Sequence, residues 1–245
     1  RVPFFNEKAV CELGKNLDKS KKLHKSGTEY ALKVLKRFSE ILNVSKITNL
    51  KIIATAVLRE ATDTKPFIDE IEKLFKTKIN ILSGDEEAEC SAEGVKIGFE
   101  NVDGLVADLG GGSLELARVE NNIVTNKTSL PFGVLRLLNN PIVKKRNLAK
   151  YIKKLLRDEK WLLKKKFNNL YLVGGTWRAL FKLHLFQNNH PVHIIHQYSI
   201  DNNVLSKFVE KISSFNKSKL KTVEYISKSR TPYLPYSCII LDEIM

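Results

Sequence analysis

The segment that most constrains this chain is Asp108-Leu109-Gly110-Gly111-Gly112-Ser113-Leu114-Glu115-Leu116. Apolar runs of strand length flank the glycines, so the segment reads as two strands joined by a tight turn. An ordinary hairpin needs one or two glycines. Three in a row, bounded by an aspartate and a serine, suit a further purpose. Without side chains, the backbone N–H groups can turn toward an anion and approach it closely, which makes a nest for phosphate. Ser113 adds a hydroxyl donor. Asp108, ending the first strand, stands where a carboxylate could hold a hydrated divalent cation against the same phosphate.

Three other blocks point the same way with less force. Gly174-Gly175-Thr176 follows the apolar run Leu170-Tyr171-Leu172-Val173 and opens a helix, a start suited to an anion or simply to close strand–helix packing. In Ser83-Gly84-Asp85-Glu86-Glu87-Ala88-Glu89 several carboxylates stand at a helix start. The helix dipole favours them there, and one facing a cleft could take a proton from water. Arg59, after Ala54-Thr55-Ala56-Val57-Leu58, follows a strand and can bind phosphate bidentately or form a surface salt bridge. His184, His190, His193 and His196 lack the spacing of a standard metal site and read as structural or cleft-lining residues.

Around these blocks the chain alternates helix and strand. Periodicity predicts helices over residues 6–17 and 25–43, and Pro66 fits the first turn of a helix reaching about Lys76. Short strands are expected at 50–54 and 79–82, then a helix from Ser83 to about Ile97. A meander of three strands follows over 104–109, 113–119 and 123–129, turning at Glu120-Asn121-Asn122. The pattern indicates an α/β protein with a boundary near residues 94–102. With 43% hydrophobic residues the chain can bury a core. It has no apolar run of about 18 residues, so no spanning helix is expected. Cys11, Cys90 and Cys238 are far apart and read as free thiols of a reducing cytoplasm. The opening Arg1-Val2-Pro3-Phe4-Phe5-Asn6-Glu7 carries no initiator Met and no signal pattern.

Net charge is +14, from 41 Lys and Arg against 27 Asp and Glu. Such a field concentrates polyanions. Much of the excess lies between Lys144 and Lys166, where Leu148, Ile152, Leu155, Leu156, Leu162 and Leu163 mark an apolar stripe. Lys150, Lys153, Lys154, Arg157 and Lys164 lie mostly off it and read as a solvated face.

In order, the blocks Ala54–Arg59, Ser83–Ala88, Asp108–Glu115, Ser129–Leu137 and Gly174–Ala179 resemble the exopolyphosphatase/guanosine pentaphosphate phosphohydrolase (Ppx/GppA phosphatase) family. The resemblance extends over nearly the whole chain, with Val57 in place of the usual Ala. It implies an actin-like fold of two ribonuclease H-like domains facing each other across a phosphate-binding cleft. On that pattern residues 1–97 belong to the first domain and 98–245 to the second. The resemblance makes Gly110, Gly111, Gly112 and Ser113 the second-domain phosphate loop, with Asp108 and Glu115 beside it for Mg²⁺. Gly174, Gly175 and Thr176 are the other glycine turn, and Arg59 is a phosphate ligand. Glu87 is the general base that activates water, and Glu115 helps to position that water or the cation. The implied reaction releases terminal orthophosphate from polyphosphate or guanosine pentaphosphate. No specific nucleic-acid partner is implied. The sequence leaves the oligomeric state open, although members are often homodimers.

Two departures shape a further expectation. The opening Asp-x-Gly-Ser-Asn-Ser loop of the family does not precede Arg59, and the closing Gly-x-Arg-Glu-Gly segment does not follow Leu234-Pro235-Tyr236. The first domain is therefore expected to be incomplete, and these 245 residues to be a fragment with little or no hydrolase activity. A non-catalytic polyanion-binding remnant and an actin-like ATPase or sugar kinase are the competing readings.

Overall fold

The computed structural model describes residues 5–139, 145–164 and 166–245. The opening residues 1–4, and Lys144 and Lys165 of the basic stretch, lie outside the described residues. The chain divides into two compact units, Arg1–Ser83 and Gly84–Met245.

In the first unit, α1 (Leu17–Ser20) leads into the long α2 (Lys25–Val44). Then come β1 (Ile52–Ala54), α3 (Ala56–Glu60), α4 (Lys65–Phe75) and β2 (Ile79–Ile81). β1 and β2 pair in parallel, Ile52 opposite Ile79. A small core of Ala31, Leu58, Phe67 and Ile71 joins α2, α3 and α4. Pro66 sits in the first turn of α4, where its missing N–H costs nothing. The helix expected over 6–17 does not form. Glu12 and Asn16 take left-handed φ of 52° and 62°, which an α-helix cannot accommodate. The segment instead passes close to α2 at Gly27, where an added Cβ would lie 2.5 Å from the Cys11 carbonyl oxygen.

The second unit opens with α5 (Gly84–Gly98) and the meander β3 (Gly104–Leu109), β4 (Leu114–Glu120) and β5 (Ile123–Leu130). The β4–β5 turn has both Asn121 (φ 50°) and Asn122 (φ 64°) left-handed, as a twist-matched two-residue hairpin requires. Next are α6 (Val134–Asn139), α7 (Lys145–Asp158), α8 (Lys160–Leu163), β6 (Leu170–Val173) and α9 (Gly175–Gln187). α10 (Asn202–Ser213), α11 (Lys217–Lys221) and α12 (Leu234–Ile244) complete it. The sheet order is β5-β4-β3-β6, antiparallel except for the parallel β3–β6 pair.

Alternation sorts the sheet's two faces. Leu105, Ala107, Leu109, Leu114 and Leu116 enter the large core with Trp177, Leu180, Ile212 and Leu241 of the surrounding helices. Val106, Ala117 and Val119 face α5 through Ala88 and Ala92. This packing is why α5 groups with the second unit, ahead of the 94–102 boundary drawn from the sequence. In α7, Leu148, Ile152 and Leu156 are buried, and Lys150, Lys153, Lys154 and Arg157 are exposed. Leu163, expected on the same stripe, is exposed, because α7 ends at Asp158 and α8 restarts the register. Among the described residues no helix is long and apolar enough to cross a membrane.

Candidate active site

Strand parity places the chemistry on the α5 face of the second sheet. Asp108 at the end of β3 stands opposite Glu115 of β4, which stands opposite Ser129 of β5. A polar row therefore crosses three strands, next to the apolar rows that hold α5. α5 crosses the same row. An added Cβ at Gly84 would lie 2.3 Å from the Ser129 Cβ, so only glycine lets the helix start so close to β5. One turn on, Glu87 acts electrostatically on Glu115. A further turn on, Ser91 Oγ donates to Asp108 Oδ2 at 2.7 Å. Positions 84, 87 and 91 share one helical face because they are three and four residues apart.

Glu115 is the most constrained group. It is 6% exposed, and Ser129 Oγ donates to its Oε1 at 2.8 Å. Burial pushes its pKa up to about 7; hydrogen bonds from Ser113 and Ser129 oppose the rise, and the charges of Glu87 and Asp108 add to it. The sequence blocks thus converge: Glu87, Asp108, Ser113 and Glu115 form one cluster.

Both glycine turns meet this row at one end of the sheet. β3 and β6 are parallel, so the turn after Leu109 and the turn after Val173 emerge side by side, at the strand ends where α/β folds bind ligands. At Gly174, φ 109°, an added Cβ would lie 2.7 Å from the Leu109 carbonyl and 3.0 Å from Asp108 Oδ1. Glycine is needed there for both reasons. The run Gly110–Gly112 behaves differently from a left-handed turn, since none of the three has positive φ. Packing is close on one side of the run. An added Cβ at Gly111 would lie 2.7 Å from Leu135, and one at Gly133 only 2.4 Å from the Gly111 carbonyl. α6 is seated on the loop by Val134 N–H to Gly110 O (3.2 Å) and Leu135 N–H to Gly111 O (3.0 Å). Gly110 N–H is committed to Ser113 O at 3.0 Å, so it is not a donor for a ligand. Among the described residues no acceptor closes on the N–H groups of Gly111 and Gly112.

Thr176 is buried in the first turn of α9. Arg59 belongs to the first unit, where its Nη1 donates to the Leu82 carbonyl at 2.5 Å. His184 and His190 both pack against Tyr198: His184 Nδ1 meets Tyr198 Oη at 2.9 Å, and His190 Nδ1 meets the Val192 carbonyl. Among the described residues no group of three or more His, Cys, Asp or Glu is placed to hold a metal ion. Asp108 and Glu115 are two hard oxygen donors on adjacent strands. That set fits Mg²⁺, which typically takes one or two carboxylates and completes its shell with water and phosphate. A cleft of about 2180 Å³ reaches Ser91, Asp108, Gly174, Arg178, Lys153 and Arg157, but Glu87, Glu115 and the Gly110–Ser113 turn do not line it.

Several contributors carried no assigned role in the sequence. Ser129 and Gly133 stand in the Ser129–Leu137 block, whose spacing marks them without saying what they touch. Ser91 has no motif of its own, although its place four residues after Glu87 puts it on the same helical face. Arg230, whose Nη1 donates to the Gly175 carbonyl, comes from a distant segment, and only tertiary structure reveals it.

The chain is similar to several known proteins. A bifunctional 3-dehydroquinate synthase/phosphatase of Fusobacterium nucleatum is 29% identical over 98% of this chain and 38% of its own length. A guanosine-5'-triphosphate,3'-diphosphate pyrophosphatase of Aeromonas hydrophila is 34% identical over 54% of this chain and 27% of its own. The chain thus spans well under half the length of these curated relatives. In structure it resembles an exopolyphosphatase from Cytophaga hutchinsonii, with a TM-score of 0.85 at 20% identity, covering 98% of this chain and 81% of that one. The fold is therefore that of this exopolyphosphatase. The model of the Ppx/GppA phosphatase family matches residues 2–245, and with the five blocks in order along that span the chain belongs to this family.

Proposed function

We propose that these residues carry the phosphate-cradling and water-activating part of a phosphoanhydride hydrolase that releases terminal orthophosphate from polyphosphate or guanosine pentaphosphate. The observation that carries the reading is the convergence of Glu87, Asp108 and Glu115 at the end of the sheet where both glycine turns emerge. Residues 98–245 are read as the second ribonuclease H-like domain and 1–97 as belonging to the first. The Gly111 and Gly112 N–H groups and Ser113 hold the terminal phosphate, and the Gly174-Gly175-Thr176 turn holds its neighbour.

The nucleophile is water. Glu87 accepts one of its protons as the oxygen attacks phosphorus, and the bond from that phosphorus to the bridging oxygen breaks. The shortened polyphosphate leaves with the bridging oxygen. Glu115, buried and hydrogen-bonded by two serines, holds the attacking water in line. Asp108 and Glu115 would hold Mg²⁺, which supplies neutralisation of phosphoryl charge when bound. Positioning and charge compensation account for most of such a rate enhancement.

A second reading is favoured by the +14 charge and the exposed lysines of α7: polyanion binding without turnover. Orthophosphate release from long-chain polyphosphate with Mg²⁺ separates the two. On the hydrolase reading the chain releases phosphate, against the little or no activity expected of a fragment, and Glu87→Gln loses at least about 100-fold, the scale of general-base loss. Tight, salt-sensitive binding with no release supports the binding reading, and full activity in Glu87→Gln removes that residue from the mechanism.

A further inference from the structure

Asp108 is held on both sides. Its Oδ2 accepts from Ser91 Oγ at 2.7 Å. Its Oδ1 lies at the Gly174 turn, 3.0 Å from where a Cβ on that residue would stand. Its Cβ is fixed by β-pairing with Glu115 on one side and Val173 on the other. Ser91 therefore uses one carboxylate oxygen and leaves the other beside the Gly174 turn. We propose that Ser91 is a positioning residue that fixes the Asp108 rotamer, so that Oδ1 faces the cation and phosphate.

The proposal rests on the hydrolase reading, because it needs Asp108 to act on a cation or phosphate. It adds a division of labour within α5. Glu87 and Ser91 share one face, one turn apart, so one rigid helix sets both the water-activating carboxylate and the orientation of the cation-facing one. Nothing in backbone packing demands a hydroxyl at position 91, because Ala88, Ala92 and Val95 supply the apolar contact of α5 with the sheet. A terminal carboxylate torsion is broad and roughly two-fold. Without the Ser91 donor, Asp108 turns in the field of Glu115 and Glu87, and its oxygens spread over several directions.

The test uses the whole chain and Mn²⁺ as the probe, read by electron paramagnetic resonance, alongside orthophosphate release from polyphosphate. Ser91→Ala is expected to weaken Mn²⁺ binding about tenfold and raise the Mg²⁺ concentration for half-maximal release by a similar factor, as loss of outer-shell partners does. The KM for polyphosphate should change less than about threefold on the same argument, because the phosphate-binding turns are untouched. Ser91→Thr, which keeps the hydroxyl, is expected to restore both readouts. Unchanged Mn²⁺ binding in Ser91→Ala, or failure of Ser91→Thr to restore it, overturns the role of Ser91 while the hydrolase reading stands. A wild type that neither binds Mn²⁺ nor releases phosphate overturns both.

Discussion

Glu115 shows how a buried carboxyl can weaken the fold that holds it. In the folded chain it binds its proton up to about pH 7, against an ordinary value of 4.5. Stability from the protonated carboxyl is therefore full below the ordinary value and is lost as pH rises through 7. The penalty for burying the charge is on the order of 3 kcal/mol. Glu115→Gln stays neutral throughout, so in a chelating buffer it should gain several degrees in Tm over the wild type at pH 8 and almost nothing at pH 5. Thermal melts at the two pH values check this, and equal slopes in both proteins would contradict it. The same variant should fail to release orthophosphate. Glu115 was legible as chemistry from its motif, but its raised pKa was not. That property comes from Ser129, Glu87 and Asp108, brought together by pairing across strands that are far apart in sequence.

Elements were legible where local chemistry decides them. Pro66 announced α4, the Asn121-Asn122 turn announced the meander, and the stripe of Leu148, Ile152 and Leu156 announced α7. The failed helix over 6–17 had apolar spacing, but two left-handed residues and the close approach to Gly27 override it. Periodicity carries no trace of a tertiary contact of that kind. The glycines likewise differ in what they do, and substitution should separate them. Gly133→Ala places a Cβ 2.4 Å from the Gly111 carbonyl and 2.5 Å from the Gly112 nitrogen, so the loop itself must move. It should cost about 1–3 kcal/mol, and most of the phosphate release with it. Gly94→Ala, in the interior of α5, meets nothing within 4 Å and should stabilise by about 0.5–1 kcal/mol. Denaturant melts of the two variants test the contrast, and a destabilised Gly94→Ala would refute the open-space reading.

At the scale of the whole molecule the two units differ in how much they bury. The first rests on a core cluster of Ala31, Leu58, Phe67 and Ile71 and two three-residue strands. The second encloses both faces of a four-stranded sheet. Hydrogen exchange should therefore protect β3 and β4 far more strongly than β1 and β2; equal protection would show that the small unit is as cooperative as the large one. The +14 charge acts on a longer range. Raising NaCl from about 50 to 200 mM should weaken polyphosphate binding by at least tenfold through screening and counterion release, which a filter or fluorescence titration reads directly. One feature also bears on how such a gene can change. Gly84, Glu87 and Ser91 meet three successive strands, so α5 works as a ruler with three marks. Inserting or deleting one residue between Gly84 and Ser91 turns the marks beyond it by about 100°. The helix would remain a good helix while Ser91, and Glu87 for a change ahead of it, leave the positions that Gly84 sets. Length variation in this lineage should therefore accumulate in the irregular stretch over 188–201 and stop abruptly at the start of α5.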